Sequence, residues 1–231
     1  MKNYLIVGAS SGIGKALTER LALAGSVVWG TFHSTPPEPH SGIEYHHLNV
    51  LDDNISLDFL PDSLDGVAYC PGSITLKPFH RIPPADFVND YQLQVIGAVK
   101  VLQSVLPRLK RAPNASIVLF STVAVQTGFN YHSMVSASKG GIEGLTKALA
   151  AEFAPAIRVN CIAPSITDTR LASSLLNTDD KRQSNTQRHP LKRVGAADDI
   201  ASAAEFLLTD RSSWMTGQIV HIDGGISTLK V

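Results

Sequence analysis

The sequence predicts a single-domain α/β fold in which helices flank a doubly wound parallel sheet, and three observations carry that expectation. Apolar, strand-like runs alternate with helical patterns along the chain, as expected of parallel strands joined by crossover helices. Residues Tyr4 to Gly14, YLIVGASSGIG, run from a strand through a glycine-punctuated turn into a helical pattern that reaches Ala24. Ser116-Ile117-Val118-Leu119-Phe120-Ser121 is a near-continuous apolar run, the mark of a strand covered on both faces. With 231 residues and 44% hydrophobic content, the chain can bury one sizeable core, so residues 1–231 read as one domain.

Taken in order, the first strand turns directly into a helix and so aims several helix N-terminal N–H groups at one point, which favours a phosphate. Glycines suit that turn because it needs unusual dihedrals and lets an anion approach bare backbone. Val27 to Phe32 is a second strand and Ile43 to Leu48 a third. Between them, HSTPPEPHSG has three prolines and one glycine in ten residues, which forbids a helix. A fourth strand lies in Leu64 to Tyr69 and leads into Cys70-Pro71-Gly72. The pattern from about Pro84 to Lys110 predicts one long helix whose apolar face, with Val88, Tyr91, Val95, Val99 and Leu102, can serve both a core and a partner subunit. Ser136 to Phe153 predicts another helix, Ile157 to Ile162 a strand, Asp198 to Leu208 a helix and Gln218 to Ile222 an edge strand.

The spacing Gly8-x-x-x-Gly12-x-Gly14 resembles the short-chain dehydrogenase/reductase family, and the resemblance extends over nearly the whole chain. It includes Asn49-Val50 where the family has Asp-Val, and Gly72 at the turn after the fourth strand. It continues through Gln94-Val95-Ile96-Gly97 for Asn-x-x-Gly, and through the helix SASKGGIEGLTKALAAEF. Pro164-Ser165-Ile166-Thr167-Asp168-Thr169 echoes Pro-Gly-x-x-x-Thr, and the ending RVGAADDIASAAEFLL…WMTGQIVHIDGG matches closely. The resemblance implies a Rossmann-type sheet binding NAD(P) and a small-molecule substrate. The expected cofactor residues are Gly8, Ser10, Ser11, Ile13, Gly14, His33, Ser34, Asn49, Val50, Gly72, Lys139, Pro164, Thr167 and Thr169. Residues 165–193 would be a mobile lid over the substrate. NAD-preferring members carry an acid at the end of the second strand, where it holds the ribose 2′-OH. Here Thr31-Phe32-His33-Ser34-Thr35 holds no carboxylate, which favours NADP(H) and leaves NAD(H) as the alternative; His33 is otherwise a plain loop histidine.

The family's chemistry uses Asn, Ser and a Tyr-x-x-x-Lys pair, in which the Tyr hydroxyl passes a proton to the carbonyl oxygen. Lys139 falls at the lysine, but Val135 stands four residues before it and Thr122 replaces the serine. Valine has no proton to give, and a positioned acid is worth about 10²–10⁴ in rate. Tyr131, one helical turn before Val135, is the candidate substitute if it projects from the same helix face, and Tyr131-His132-Ser133-Met134 resembles the Tyr-Asn-x-Met of enoyl reductases. Tyr131 is otherwise a pocket-wall residue, and His132 a second candidate acid or a surface histidine. The candidate catalytic set is therefore Thr122, Tyr131 and Lys139.

Twenty basic and twenty acidic residues cancel, which argues against a nucleic-acid partner. No apolar run approaches the roughly 18 residues of a membrane span, and the strand at the start is not a secretory signal. Cys70 and Cys161, read as buried thiols, suggest a reducing cytoplasm; no metal site is indicated. Two functions remain open. One is an oxidoreductase acting on a carbonyl or an activated C=C with a displaced or missing proton donor. The other is a degenerate NADP(H)-binding protein that senses redox state or supports a partner. A homotetramer, or else a homodimer, is expected from the two long helices and the last strand.

Overall fold

The computed structural model describes residues 1–230. Strands β1 (Asn3–Val7), β2 (Val27–Phe32), β3 (Ile43–His47), β4 (Gly66–Tyr69), β5 (Ala115–Phe120), β6 (Ile157–Pro164) and β9 (Ile219–Ile222) form one sheet in the order β3-β2-β1-β4-β5-β6-β9. Every neighbouring pair is parallel. Chain order reverses between β1 and β4, so their C-terminal ends open a crevice, the place where such sheets hold ligands. Two short strands, β7 (Thr167–Asp168) and β8 (Gly195–Ala196), pair apart from the main sheet and pin the two ends of the 169–194 segment together.

Helices cover both faces. Helix α1 (Gly12–Leu23) and helix α7 (Ala197–Leu208) lie on one, closing a core around Tyr4, Ile6, Leu17, Val118 and Ile200. Helices α3 (Gly97–Leu109) and α4 (Ser133–Phe153) cover the other, over Leu5, Val67, Val101, Val105 and Ile117. Burying each such aliphatic side chain contributes about 1.5–3 kcal/mol, which is why strands β1, β4 and β5 are apolar on both faces. No helix joins β2 to β3, as the prolines require.

The long helix expected over 84–110 is interrupted. It forms α2 (Pro84–Tyr91), a wide π turn over Gln92–Ile96, and then α3. The cause lies outside the helix: the Tyr69 hydroxyl donates to the Leu93 carbonyl at 2.6 Å, and Gly97 leaves room for that hydroxyl against the backbone. A side chain inserted into the i→i−4 ladder widens the turn. The segment between β7 and β8 holds α5 (Ser173–Leu176) and α6 (Asp179–Arg188). Helix α4 begins three residues earlier than the sequence pattern suggests, at Ser133.

Candidate active site

The groove at the β1/β4 crevice follows from the first turn. Gly8 takes φ +80°, a left-handed conformation that favours glycine, and a Cβ at Gly14 would collide with the Gly8 carbonyl oxygen. The chain can therefore turn from β1 into α1 within a few residues and point the first amides of α1 into a cavity of about 710 Å³. That cavity is lined by Gly8, Ser10, Ser11, Ile13, Gly14, His33, Ser34, Asn49, Val50 and Gly72, all expected from the sequence. Arg170 also lines it, a residue that no sequence motif singles out. The lining contains no Asp or Glu.

A second cavity, of about 390 Å³ and mainly apolar, lies between the ends of β5 and β6, the start of α4 and the segment carrying α5 and α6. Thr122, Val135 and Lys139 line it, with Pro164 and Thr167, which were expected to touch cofactor. The two cavities share Ile13, Thr169 and Leu171, so they are adjoining parts of one cleft. Lys139 stands where they meet: its Nζ lies 3.6 Å, and the Gln94 Oε1 3.5 Å, from the place a Cβ on Gly72 would occupy. Burial lowers the Lys139 ammonium to about 8, with Asp90 among the groups that oppose the shift.

Behind Lys139 is a polar cluster that the sequence pattern did not reveal. Asp90, 5% exposed, accepts from both Gln94 Nε2 contacts (2.9 and 2.8 Å), from Ser138 Oγ (2.6 Å) and from Ser73 Oγ. The Gln94 amide is thereby fixed with its nitrogen turned inward. Its buried oxygen has no partner among the described residues and faces the space above Gly72. Thr122 Oγ1 accepts from the Ala124 N–H at 3.3 Å, which leaves its own O–H free to donate.

Tyr131 is not brought into this site. It precedes α4 in a left-handed turn (φ 69°), is 57% exposed and lines neither cavity. The expected shared face with Val135 fails because the helix starts only at Ser133, after the chain has turned outward. His132 does line the apolar cavity, its Nδ1 2.8 Å from the Asn130 carbonyl. Cys161 is buried, whereas Cys70 is half-buried on the groove; burial raises both thiols to about 12.

The segment carrying α5 and α6 is tied to the sheet through Ser165, which stands at the resemblance's glycine position. His189, 2% exposed, lies 2.7 Å through Nδ1 from the Asn185 carbonyl and 2.8 Å through Nε2 from Ser165 Oγ. With Nδ1 donating to that carbonyl, Nε2 accepts the serine proton, and the pair anchors the end of α6 beside β6.

Comparison with known proteins places this architecture. A family model described as enoyl-(acyl carrier protein) reductase matches residues 49–227. The chain is 33% identical over 243 residues to a short-chain dehydrogenase/reductase of Arabidopsis thaliana, covering 97% of this chain and 94% of that one. It is 31% identical to a 3-oxoacyl-[acyl-carrier-protein] reductase of Thermotoga maritima, over 97% of each chain. The ligand-free structure of an aldohexose dehydrogenase from Thermoplasma acidophilum superposes with a TM-score of 0.93 at 26% identity, covering 99% of this chain and 95% of that one.

Proposed function

The chain belongs to the short-chain dehydrogenase/reductase family, a family of oxidoreductases, and on that footing we propose that it reduces a carbonyl, or a C=C conjugated to one, with NADP(H). The observation that carries this reading is the position of Lys139 at the junction of a glycine-lined groove and an apolar pocket. A dinucleotide fits the groove chemically, with helix N-terminal amides for its phosphates and the unpartnered Gln94 oxygen and the Lys139 ammonium above Gly72. When bound, the nicotinamide supplies the hydride. His33, Ser34 and Arg170, with no carboxylate in the lining, suit the extra phosphate of NADP(H). The name of the Thermotoga relative, a 3-oxoacyl reductase, supports a carbonyl as the reducible group.

The protein's own part is to hold the substrate oxygen and give it a proton. Thr122 donates a hydrogen bond to that oxygen. Lys139, lowered to about 8, supplies the proton that a tyrosine at position 135 would otherwise give. Tyr131, turned outward, has no part in this scheme. A second reading, a cofactor-binding protein without turnover, is favoured by the same two facts: valine at position 135 and an exposed Tyr131. NADPH oxidation against a panel of aldehydes, 3-oxoacyl thioesters, enones and quinones separates the two. Turnover that falls in Thr122→Ala supports the enzyme; tight NADPH binding with no turnover on any acceptor leaves the second reading.

We also propose a homotetramer, with a homodimer as the simpler alternative. Val88 (57% exposed) and Tyr91 on α2, and Trp214 (97% exposed) before β9, are apolar surfaces that subunit contacts would cover. A monomer in sedimentation equilibrium would refute it. Free Cys70 and Cys161 fit a reducing compartment such as the cytoplasm, and no helix among the described residues is long and apolar enough to cross a membrane.

A further inference from the structure

The apolar pocket carries charge of one sign only. Its lining includes Lys139, Lys181 and Arg188 but no Asp or Glu. Two of these cations already have work. Lys139 belongs to the junction with the groove, and Lys181 Nζ donates to the Ser174 carbonyl and the Asn177 Oδ1, both at 2.9 Å. Two other arginines of the lid are likewise committed: Arg182 pairs with Asp168 at 2.8 Å, and Arg193 makes a two-pronged pair with Asp199; Arg170 lines the groove and not this pocket. Arg188 differs. Among the described residues it makes no ion pair and no hydrogen bond, and its guanidinium carbon lies 5.3 Å from the centre of the Phe129 ring.

A guanidinium laid over an aromatic face keeps its N–H edge free, and that edge matches the two oxygens of a carboxylate. The rest of the pocket, including Ile74, Leu76, Val123 and Leu175, offers an apolar body little else. We infer that the substrate is an oxo acid: an apolar carbonyl compound whose carboxylate is held by Arg188 over Phe129 while its carbonyl points toward Thr122 and Lys139. This deepens the proposed reductase reading by assigning its substrate class.

The test uses the full chain and two probes of the same shape, 4-phenylbutanoate and 4-phenylbutanamide, titrated calorimetrically at low salt. The expected result is about tenfold tighter binding of the carboxylate, the size of one charge-assisted contact at a partly exposed site. Arg188→Met should erase that difference and leave the amide unchanged, whereas Arg182→Met, on the same helix, should retain it. Equal binding of the two probes to the unaltered protein, or a preference that survives in Arg188→Met, would overturn the assignment. Fluorescence titration of NADPH keeps the two readings apart. A carboxylate preference without NADPH binding would count against the reductase and support the anion site. NADPH turnover with no carboxylate preference would sink the anion site alone.

Discussion

The glycine-lined groove and the apolar pocket beside it share a wall yet are built in different ways. The groove is built from backbone: glycine conformations, the opening amides of α1 and the strand ends of β1, β2 and β4. The pocket is built from side chains of the loops after β4 and β5, of α4, and of the segment that follows β6. A backbone site tolerates little variation, because its residues must adopt particular dihedrals. A side-chain site can exchange one residue for another more freely, and here Val135, 4% exposed, lines the pocket with Lys139.

The largest effect is expected in the groove. Gly12 has φ +54°, and a side chain there would press on Thr169 at 3.3–3.4 Å. Gly12→Val should weaken NADPH binding by at least about 100-fold, since strain of about 1–3 kcal/mol adds to the loss of close phosphate approach. Fluorescence titration, with circular dichroism to confirm folding, measures it.

Next is Val135→Tyr, which places a phenol beside Lys139. Carbonyl reductase kcat should rise by about 10²-fold, the lower end of what a positioned acid contributes. An unchanged rate would place the deficit in pocket shape and not in the proton.

Removing the Asp90 carboxylate attacks the pocket from behind. Asp90→Ala strands the Gln94 amide and the Ser138 hydroxyl, and should lower stability by about 2–4 kcal/mol in denaturant titration.

Lys139 sets the pH response. If its ammonium is the acid, the active form is the protonated one, so kcat/KM should be flat below about 8 and fall as pH rises through that value. In Lys139→Arg the guanidinium stays charged and that limb should vanish. The smallest effect belongs to Tyr131→Phe, expected to change kcat by less than about twofold, because an outward-facing hydroxyl adds nothing to the transition state. A loss of about 100-fold would return Tyr131 to the site by a movement of its turn.

Most of the fold could be read in advance because its signals are local. The two-faced apolarity of β5, the prolines between β2 and β3 and the glycines after β1 each act within a few residues. The same holds for the groove: its expected residues follow directly from one turn and the strand ends that surround it. The misses have a common physical origin. The π turn depends on Tyr69, which reaches Leu93 from 24 residues away, and the Asp90 cluster joins residues from three segments. Tyr131 looked like an extension of α4 because periodicity does not reveal where a helix starts when no side chain caps it, and none does here.

Sequence alone settled the helix-flanked parallel sheet, the glycine turn after β1 and the valine four residues before Lys139. These rest on propensity, glycine dihedrals and identity, properties that belong to short stretches of chain. Tertiary structure settled which groups line the cleft: Thr122, Lys139 and Arg188 border the apolar cavity, the Gln94 oxygen faces Gly72, and Tyr131 lies outside both cavities. Direction and partnership of side chains depend on segments far apart in the chain meeting in one place, and only the packed fold fixes that.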